Sequence, residues 1–356
     1  MTATTTEDVQ GDGRLEQPVR LAILVGSVLV AAALLLTLGA VNPLSLIFVG
    51  ALVYCVVIYA ASRAVEGARH ATDRMVTGVV TTAFLLAMVP LVSVIWTILS
   101  KGFARFDTAF FTYSMQGVGT GEVGGAYHAI VGTVITTGIA TLISVPIGLL
   151  AAIFLVEYGK GRVLGLVARF LTFFVDVMTG IPSIVAGLFA IGLFTSMLRD
   201  EAYQAGIVGA VALSVLMIPT VIRSAEEMLR LVPNELREAS YALGVPKWLT
   251  IIKVVLPTAI AGLATGVTLA IARVMGETAP LLITMGAAKS VNFNPFDGSM
   301  SALPLFAYSS YANPGANKQD SIDAAWTAAL VLMAIVMILN IVARLISKFF
   351  APQTGR

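Results

Sequence analysis

Two residues of opposite charge lie four positions apart inside a long apolar stretch. Arg273 and Glu277 share one face of a helix if residues 254–286 form a single membrane span. A charge near the centre of such a helix costs about 2.5–3.5 kcal/mol on insertion scales, so charged side chains in spans usually face the protein interior. Arginine presents a planar set of donors that suits an oxyanion. The spacing therefore predicts either an anion pathway, in which Glu277 is the partner of Arg273, or an ion pair that only fixes helix packing.

A polar segment at residues 224–253 separates two apolar stretches and carries a second pattern. Asn234 is a good N-cap for a short helix. Gly244 stands where a C′ glycine ends such a helix, and Pro246 begins another. The resulting helix–Gly–helix has small residues at its bend, so the bend can lie close to the surface of a partner. Glu238 would present a negative charge to that partner. The alternative is a connector at the membrane surface that binds nothing.

Composition places the chain among membrane proteins. Of 356 residues, 58% are hydrophobic and 12% are charged, whereas soluble domains carry about 25% charged residues. The net charge of +2 gives no indication of nucleic-acid binding, and one cysteine, Cys55, excludes an internal disulfide framework. There is no phosphate-binding loop, no serine-nucleophile elbow, no zinc-protease motif and no metal-ligand spacing. The sequence thus predicts no catalytic residue and no metal site.

Long apolar stretches predict an all-α integral membrane protein with eight transmembrane helices. A bilayer core of about 30 Å needs about 20 apolar residues per helix. Gly180-Ile181-Pro182 breaks the stretch 164–198, because proline removes an amide donor, so residues 164–176 are predicted to lie along the inner membrane surface. Residues 1–18 are polar and predict a disordered tail. The predicted spans are residues 21–41, 44–62, 77–99, 128–156, 178–198, 205–223, 254–286 and 323–347.

Lysine and arginine are distributed unevenly between the two sides of these spans. If the N-terminus is cytoplasmic, most of them face the cytoplasm, as the positive-inside rule requires. Both termini and residues 224–253 are then cytoplasmic. Arg223 ends the sixth span at the inner surface, where it is either an ordinary positive-inside anchor or a pathway residue. The few basic residues left outside are Lys101, Arg105, Arg199, Lys289 and Lys318.

Three segments together resemble the phosphate-specific ABC importer permeases of the PstA type, in the binding-protein-dependent transport permease superfamily. They are residues 180–187, 238–257 and 272–281. The second segment resembles the EAA loop that many ABC importers share. The third contains Gly-Glu-Thr-Ala-Pro-Leu, which is the most phosphate-specific part of the resemblance.

The resemblance implies a six-helix type I ABC-importer permease core over residues 75–350. Two additional transmembrane helices and a cytoplasmic loop occupy residues 19–74, outside the family core. Residues 224–253 are implied to be the cytoplasmic coupling loop on which an ATPase sits, with Ser240 in place of the alanine of the family pattern. The implied coupling residues are Glu238, Ala239, Ser240, Gly244, Leu256 and Pro257.

The same resemblance implies the function of the chain. A permease of this type moves inorganic phosphate across the bacterial cytoplasmic membrane, together with a second related permease, two copies of an ATPase and a phosphate-binding protein on the outer side. The ATPase uses ATP and magnesium, while the permease itself binds no cofactor and is not an enzyme. The pathway residues are then Arg273, Glu277 and Arg223.

Other function classes stay open at this point. A permease for another oxyanion, such as sulfate or molybdate, shares every feature except the Gly-Glu-Thr-Ala-Pro-Leu segment. A secondary transporter or a channel needs no ATPase and would purify without one. A membrane-embedded enzyme has the least support, because no nucleophile–base pair and no metal set is visible in the sequence.

Overall fold

The computed structural model of the chain describes residues 15, 17–39, 42–119, 124–199, 203–315 and 317–350. These residues form helices and connecting segments, and none of them lies in a β-strand. The chain divides into two compact units, Met1–Thr97 and Ile98–Arg356. Residues 1–14 and 16 of the predicted tail lie outside the described residues, and the first helix begins at Gln17.

The first unit is built from long apolar helices that the sequence predicted as additional spans. Pro43 stands at the N1 position of the second helix, and the Asn42 side chain caps it by accepting a hydrogen bond from the Ser45 amide at 2.7 Å. The third helix continues past the end of the unit, so the boundary predicted between residues 74 and 75 falls inside a helix and stays a prediction. The helices are α1 (Gln17–Thr37), α2 (Pro43–Val65) and α3 (Ala68–Gly102).

The Glu66 carboxylate joins three parts of the first unit at the turn between α2 and α3. It accepts hydrogen bonds from the Leu15 amide at 2.7 Å, from the Ser62 hydroxyl at 2.5 Å and from Arg74 Nη2 at 3.2 Å. The hydrogen bonds from Arg74 and Ser62 lower the pKa of Glu66 to about 2. This carboxylate is therefore charged at neutral pH and holds the two helices and the preceding segment together.

The second unit contains the remaining helices and both segments singled out in the sequence. Two helices continue through π-helical turns, at Phe154–Tyr158 and Ile251–Val255. The helices are α4 (Thr108–Thr112), α5 (Tyr127–Ile153), α6 (Arg162–Thr179), α7 (Ser183–Leu198), α8 (Gly206–Arg230), α9 (Asn234–Ala242), α10 (Lys247–Thr250), α11 (Leu256–Met275), α12 (Ala279–Thr284), α13 (Leu303–Ala312) and α14 (Lys318–Phe350).

The number of helices able to cross a membrane matches the prediction of eight spans. Within the described residues, seven segments are long and apolar enough, and the pair α6 and α7 gives the eighth if it counts as one broken span. The chain bends by 108° between the two helices of this pair. The break predicted at Gly180-Ile181-Pro182 is thus confirmed, because α6 ends at Thr179 and α7 begins at Ser183.

Small residues let the helices of the second unit approach closely, as is common in membrane bundles. A Cβ atom added to Gly148 of α5 would lie 2.6 Å from Val221 Cγ1 of α8. A Cβ atom added to Gly187 of α7 would lie 2.9 Å from Pro280 Cα of α12. Glycine therefore sets the spacing in both pairs, α5 with α8 and α7 with α12.

Candidate functional site

Arg273 and Glu277 do not lie on one helical face, because α11 ends between them. The helix terminates at Met275, and Gly276 forms its C-cap. Pro280 lacks the amide that would bond the Gly276 carbonyl four residues earlier, so the helix cannot continue. Glu277 lies in the non-helical connection before α12, where its amide donates to the Val274 carbonyl at 3.1 Å. The span predicted for residues 254–286 therefore ends at Met275, and the helical spacing predicted for the pair is wrong.

Both charged residues nevertheless line one cavity of about 250 Å³ in the second unit. The cavity lies where three parts of the backbone lack ordinary helical hydrogen bonds. These are the break between α6 and α7, the part of α8 that contains Pro219, and the end of α11. The lining residues are Met178, Thr179, Ile181, Ser183, Leu216, Pro219, Thr220, Arg273, Val274 and Glu277. The broken helices thus place one guanidinium and one carboxylate at the same opening.

Arg273 is exposed at this cavity, and its side chain forms no hydrogen bond or ion pair with any other described residue. Glu277 is partly buried and likewise lacks an ion-pair partner among the described side chains. Pro219, which lies inside α8, has no amide to donate to the Val215 carbonyl, so one helical hydrogen bond is missing in this part of the cavity wall. The free donors of Arg273 can bind an oxyanion through two parallel hydrogen bonds.

Arg223 is not among the residues that line this cavity, and it lies about two turns before α8 ends at Arg230. It forms ion pairs with Asp176 of α6 and, at 3.0 Å, with Glu226 one turn further along α8. Glu226 is nearly buried and also binds Arg230 at 2.7 Å. The structure therefore does not bring Arg223 together with Arg273, and a pathway role for Arg223 stays a prediction.

The polar segment folds as the predicted helix–Gly–helix, with one correction at its start. Gly244 has a φ of 73°, in the left-handed region that favours glycine. Its amide donates to the Tyr241 carbonyl at 2.9 Å, and the Val245 amide donates to the Ser240 carbonyl at 3.2 Å. The two hydrogen bonds together form a Schellman motif. The prediction of Asn234 as N-cap is wrong: Pro233 has the extended cap conformation, so α9 begins one residue earlier than expected.

The predicted coupling residues occupy two different environments. Glu238, Ala239 and Gly244 are exposed on the outside of the bend. Ser240 is buried, and its hydroxyl lies 2.8 Å from the Thr250 hydroxyl of α10. Ser240 thus ties the two short helices together instead of presenting itself at the surface. Leu256 and Pro257 begin α11, and Leu256 packs partly buried in the core beneath the bend.

Sequence reasoning missed two large apolar side chains at the bend. Leu243 is 83% exposed and Trp248 is 58% exposed. They lie on either side of Gly244, so the bend exposes apolar as well as charged side chains. Apolar residues within a polar loop were the signal that could have revealed them, since an exposed apolar patch commonly marks an interaction site.

A buried ion pair, which the sequence did not reveal, fastens α9 to the end of α5. Arg237 Nε donates to Glu157 Oε1 at 3.0 Å, and Nη2 lies 2.9 Å from the same oxygen. Arg237 also donates to the Leu229 carbonyl at 2.9 Å and to the Val232 carbonyl at 2.5 Å. Both charged side chains are about nine-tenths buried or more. Eighty positions of sequence separate the partners, so no local spacing pointed to the pair.

A second contact joins α10 to the same end of α5, beside a polar cavity. Lys247, the first residue of α10, donates to the Glu157 carbonyl, and its Nζ lies 4.7 Å from the centre of the Tyr158 ring. The cavity measures about 680 Å³ and is bordered by Glu238 and Tyr241 of α9. Burial and the nearby Glu157 carboxylate raise the pKa of Tyr241. The bend is thus a rigid, partly charged projection carried by α5 and α8.

Known proteins share the sequence of this second unit. Residues 144–356 match the family described as the binding-protein-dependent transport system inner membrane component. The chain is 45% identical over 277 residues to phosphate transport system permease protein PstA 1 of Mycobacterium tuberculosis, covering 77% of this chain and 87% of the relative. It is 40% identical over 265 residues to PstA of Pasteurella multocida, covering 74% and 88%.

Among solved structures, the chain is similar to an inward-facing form of the MetNI methionine ABC transporter. The sequence identity is 20% and the TM-score is 0.49, and the match covers 64% of this chain and 94% of the other.

Proposed function

This chain belongs to the family of binding-protein-dependent transport system inner membrane components, and from that premise we propose how it moves its substrate. It is a multi-pass permease subunit of an ATP-driven importer for inorganic phosphate, in an inner membrane transport system. The chain is a transport subunit and not an enzyme, since ATP hydrolysis belongs to a separate subunit. A six-helix permease core with two additional N-terminal helices accounts for its eight apolar spans.

The cavity at Arg273 is the observation that carries the assignment of the pathway. A guanidinium without a partner among the described residues costs free energy in a membrane protein unless a ligand or a second subunit meets it. Phosphate supplies the oxygen atoms that suit the parallel donors of arginine. Glu277 lines the same cavity and attracts Arg273 when no anion is present. Arg273 is thus the residue that meets phosphate, and Glu277 limits how long the anion stays.

The bend around Gly244 is the element that receives the force from ATP hydrolysis. Its exposed Glu238, Leu243 and Trp248 form a mixed apolar and charged surface of the kind that docks a protein partner. The buried pair of Arg237 with Glu157 transmits a displacement of α9 directly to α5. ATP and magnesium are used by the partner ATPase, and closure of two ATPase copies moves the bend and changes which side of the pathway is open.

An importer of this family comprises a permease pair, ATPase subunits and a binding protein. For this chain we infer a second, related permease that faces Arg273 across the pathway, since this residue is exposed in the isolated chain. A phosphate-binding protein delivers the substrate on the outer side. Both termini and the Gly244 bend are cytoplasmic, as the distribution of lysine and arginine indicates.

The experiment is purification of the tagged chain from its native membrane, followed by reconstitution and measurement of labelled phosphate uptake. We expect an ATPase to accompany the chain, uptake to require ATP and the binding protein, and excess sulfate or molybdate to leave it unchanged. Uptake without any ATPase would establish a secondary transporter or channel. Competition by sulfate or molybdate at concentrations equal to phosphate would establish a permease for another oxyanion.

A further inference from the structure

The first unit contains a cavity of about 480 Å³ between α1, α2 and α3 that phosphate transport does not explain. Most of its lining is apolar, from residues such as Leu24, Val28 and Leu85. Two arginines, Arg20 of α1 and Arg74 of α3, line it as well. An apolar groove with cations at its border fits a molecule that carries an anionic group and a hydrocarbon chain.

The two arginines differ in how their charge is balanced. Arg74 forms an ion pair with Glu66 at 3.2 Å. Arg20 Nε is buried and has no hydrogen-bond partner among the described residues. Arg20 also stands in the first turn of α1, where the helix dipole disfavours a cation. Neither its helix nor a described neighbour stabilises this guanidinium, so a positive charge remains uncompensated beside the cavity.

The length of the cavity matches the thickness of the hydrocarbon layer of one membrane leaflet. Its wall on α3 extends from Arg74 to Leu85, which spans about 16 Å along the helix at 1.5 Å per residue. Half of a hydrocarbon core of about 30 Å is about 15 Å. The arginines lie near the turn between α2 and α3, which the distribution of basic residues places on the cytoplasmic side. A lipid of the inner leaflet would enter with its headgroup at this end.

We propose that the cavity between α1, α2 and α3 binds one anionic phospholipid of the inner leaflet, with its phosphate at Arg20 and Arg74 and an acyl chain along the apolar wall. Tyr54 and Thr77, which also line the cavity, supply hydroxyl groups near the headgroup. The additional N-terminal helices then serve as a lipid-binding module of the permease.

Native mass spectrometry of the full chain in its purified complex tests the proposal. The delipidated complex is titrated with phosphatidylglycerol and, separately, with phosphatidylcholine of identical acyl chains. We expect one tightly bound phosphatidylglycerol and weaker binding of phosphatidylcholine. Arg20→Gln should weaken phosphatidylglycerol binding about fivefold, the effect of one basic residue at an anionic lipid surface. The matched control is Arg63→Gln, which removes an exposed arginine that binds Tyr59 and does not line the cavity.

A second variant tests the apolar part of the cavity and leaves both arginines in place. Ala51→Phe fills the cavity from α2 and should reduce phosphatidylglycerol binding while the helical content of the complex stays unchanged. Millimolar inorganic phosphate should not displace the lipid, because the anion lacks the acyl chain. Equal binding of the two lipids, equal effects of Arg20→Gln and Arg63→Gln, or full displacement by inorganic phosphate would each overturn the proposal.

Discussion

Arg237 reaches Glu157 through two nitrogens that share one carboxylate oxygen, at 3.0 and 2.9 Å, in a site where both side chains are almost entirely buried. The contact connects the short helix before the Gly244 bend to the π-helical turn that ends α5. π-Helical turns within longer helices frequently occur at functional sites. Here the turn brings a carboxylate to Arg237, a buried cation that anchors the bend.

Removal of the Glu157 carboxylate should destabilise the protein strongly. Glu157→Ala leaves Arg237 buried without its partner, which costs about 3–5 kcal/mol in comparable pairs. Thermal unfolding of the purified complex measures the loss. Glu235→Ala is the matched control, because Glu235 is exposed in the first turn of α9 and contributes only about 0.3–1 kcal/mol to that helix. Equal losses in the two variants would contradict the structural role of the pair.

Replacement of Gly244 by valine should uncouple ATP hydrolysis from phosphate uptake. The φ of 73° costs an ordinary residue about 1–2 kcal/mol and a β-branched residue more, so the bend has to change shape. Gly244→Asn is the matched control, since asparagine tolerates this conformation. The ratio of ATP hydrolysed to phosphate imported should rise in Gly244→Val while its abundance in the membrane stays the same. An unchanged ratio would count against docking at the bend.

Replacement of Arg273 by glutamine should reduce phosphate uptake roughly tenfold or more, because a hydrogen bond to a charged group contributes about 1.5–3 kcal/mol. Arg273→Lys should keep part of the activity, because lysine retains the charge but not the paired donors. Labelled phosphate uptake with equal amounts of assembled complex is the measurement. Arg344→Gln, which removes an exposed arginine of α14, is the control. Wild-type uptake by Arg273→Gln would refute the role of this residue.

Ser240→Ala should affect stability more than docking. The hydroxyl of Ser240 contacts only Thr250 across the bend, and loss of one such hydrogen bond costs about 1 kcal/mol. Thr250→Ala should cost a similar amount, and the double variant should cost less than the two single losses combined. Chemical unfolding of the three variants provides the comparison. If Ser240→Ala instead released the ATPase without loss of stability, Ser240 would be a docking residue.

The first unit should lose stability in acid through Glu66. Its pKa is lowered from the usual 4.5 to about 2 in the folded chain, so the unfolded state binds a proton first as the pH falls. The contribution of Glu66 to stability is therefore complete above pH 4.5 and is lost as the pH falls toward 2. Glu66→Gln should unfold at a lower temperature at pH 7, and its difference from wild type should shrink with acidity. A constant difference would contradict this linkage.

Local sequence signals predicted the fold where proline and glycine act on their neighbours. Pro182 correctly indicated the break between α6 and α7, because proline restricts its own backbone and lacks an amide donor. Gly244 correctly indicated the end of α9, because glycine adopts the positive φ of such an end without a steric cost. The same kind of reasoning failed at Asn234, where the fixed φ of Pro233 moved the helix start by one residue.

The candidate site was less accessible to prediction because distant segments build it. Residues 178–183 and residue 273 share a cavity wall only after α8 has packed between their helices. The sequence does not indicate that Glu157 and Arg237 form a pair. They need each other because the fold buries both charges, and their spacing along the chain gives no sign of this. The end of α11 at Met275 follows from Gly276 and Pro280 acting together, and both residues are visible in the sequence.

The contact of Gly187 with Pro280 determines which parts of the pathway move as one body. Because Gly187 has no side chain, α7 packs directly against the backbone of α12 at Pro280. Such close packing leaves no space for the two helices to slide past each other. Glu277 precedes this proline by three residues, so a tilt of α7 carries the carboxylate along. Arg273 belongs to α11, on the far side of Gly276. A change of backbone angle at Gly276 would therefore alter the distance between the two charges that line the cavity.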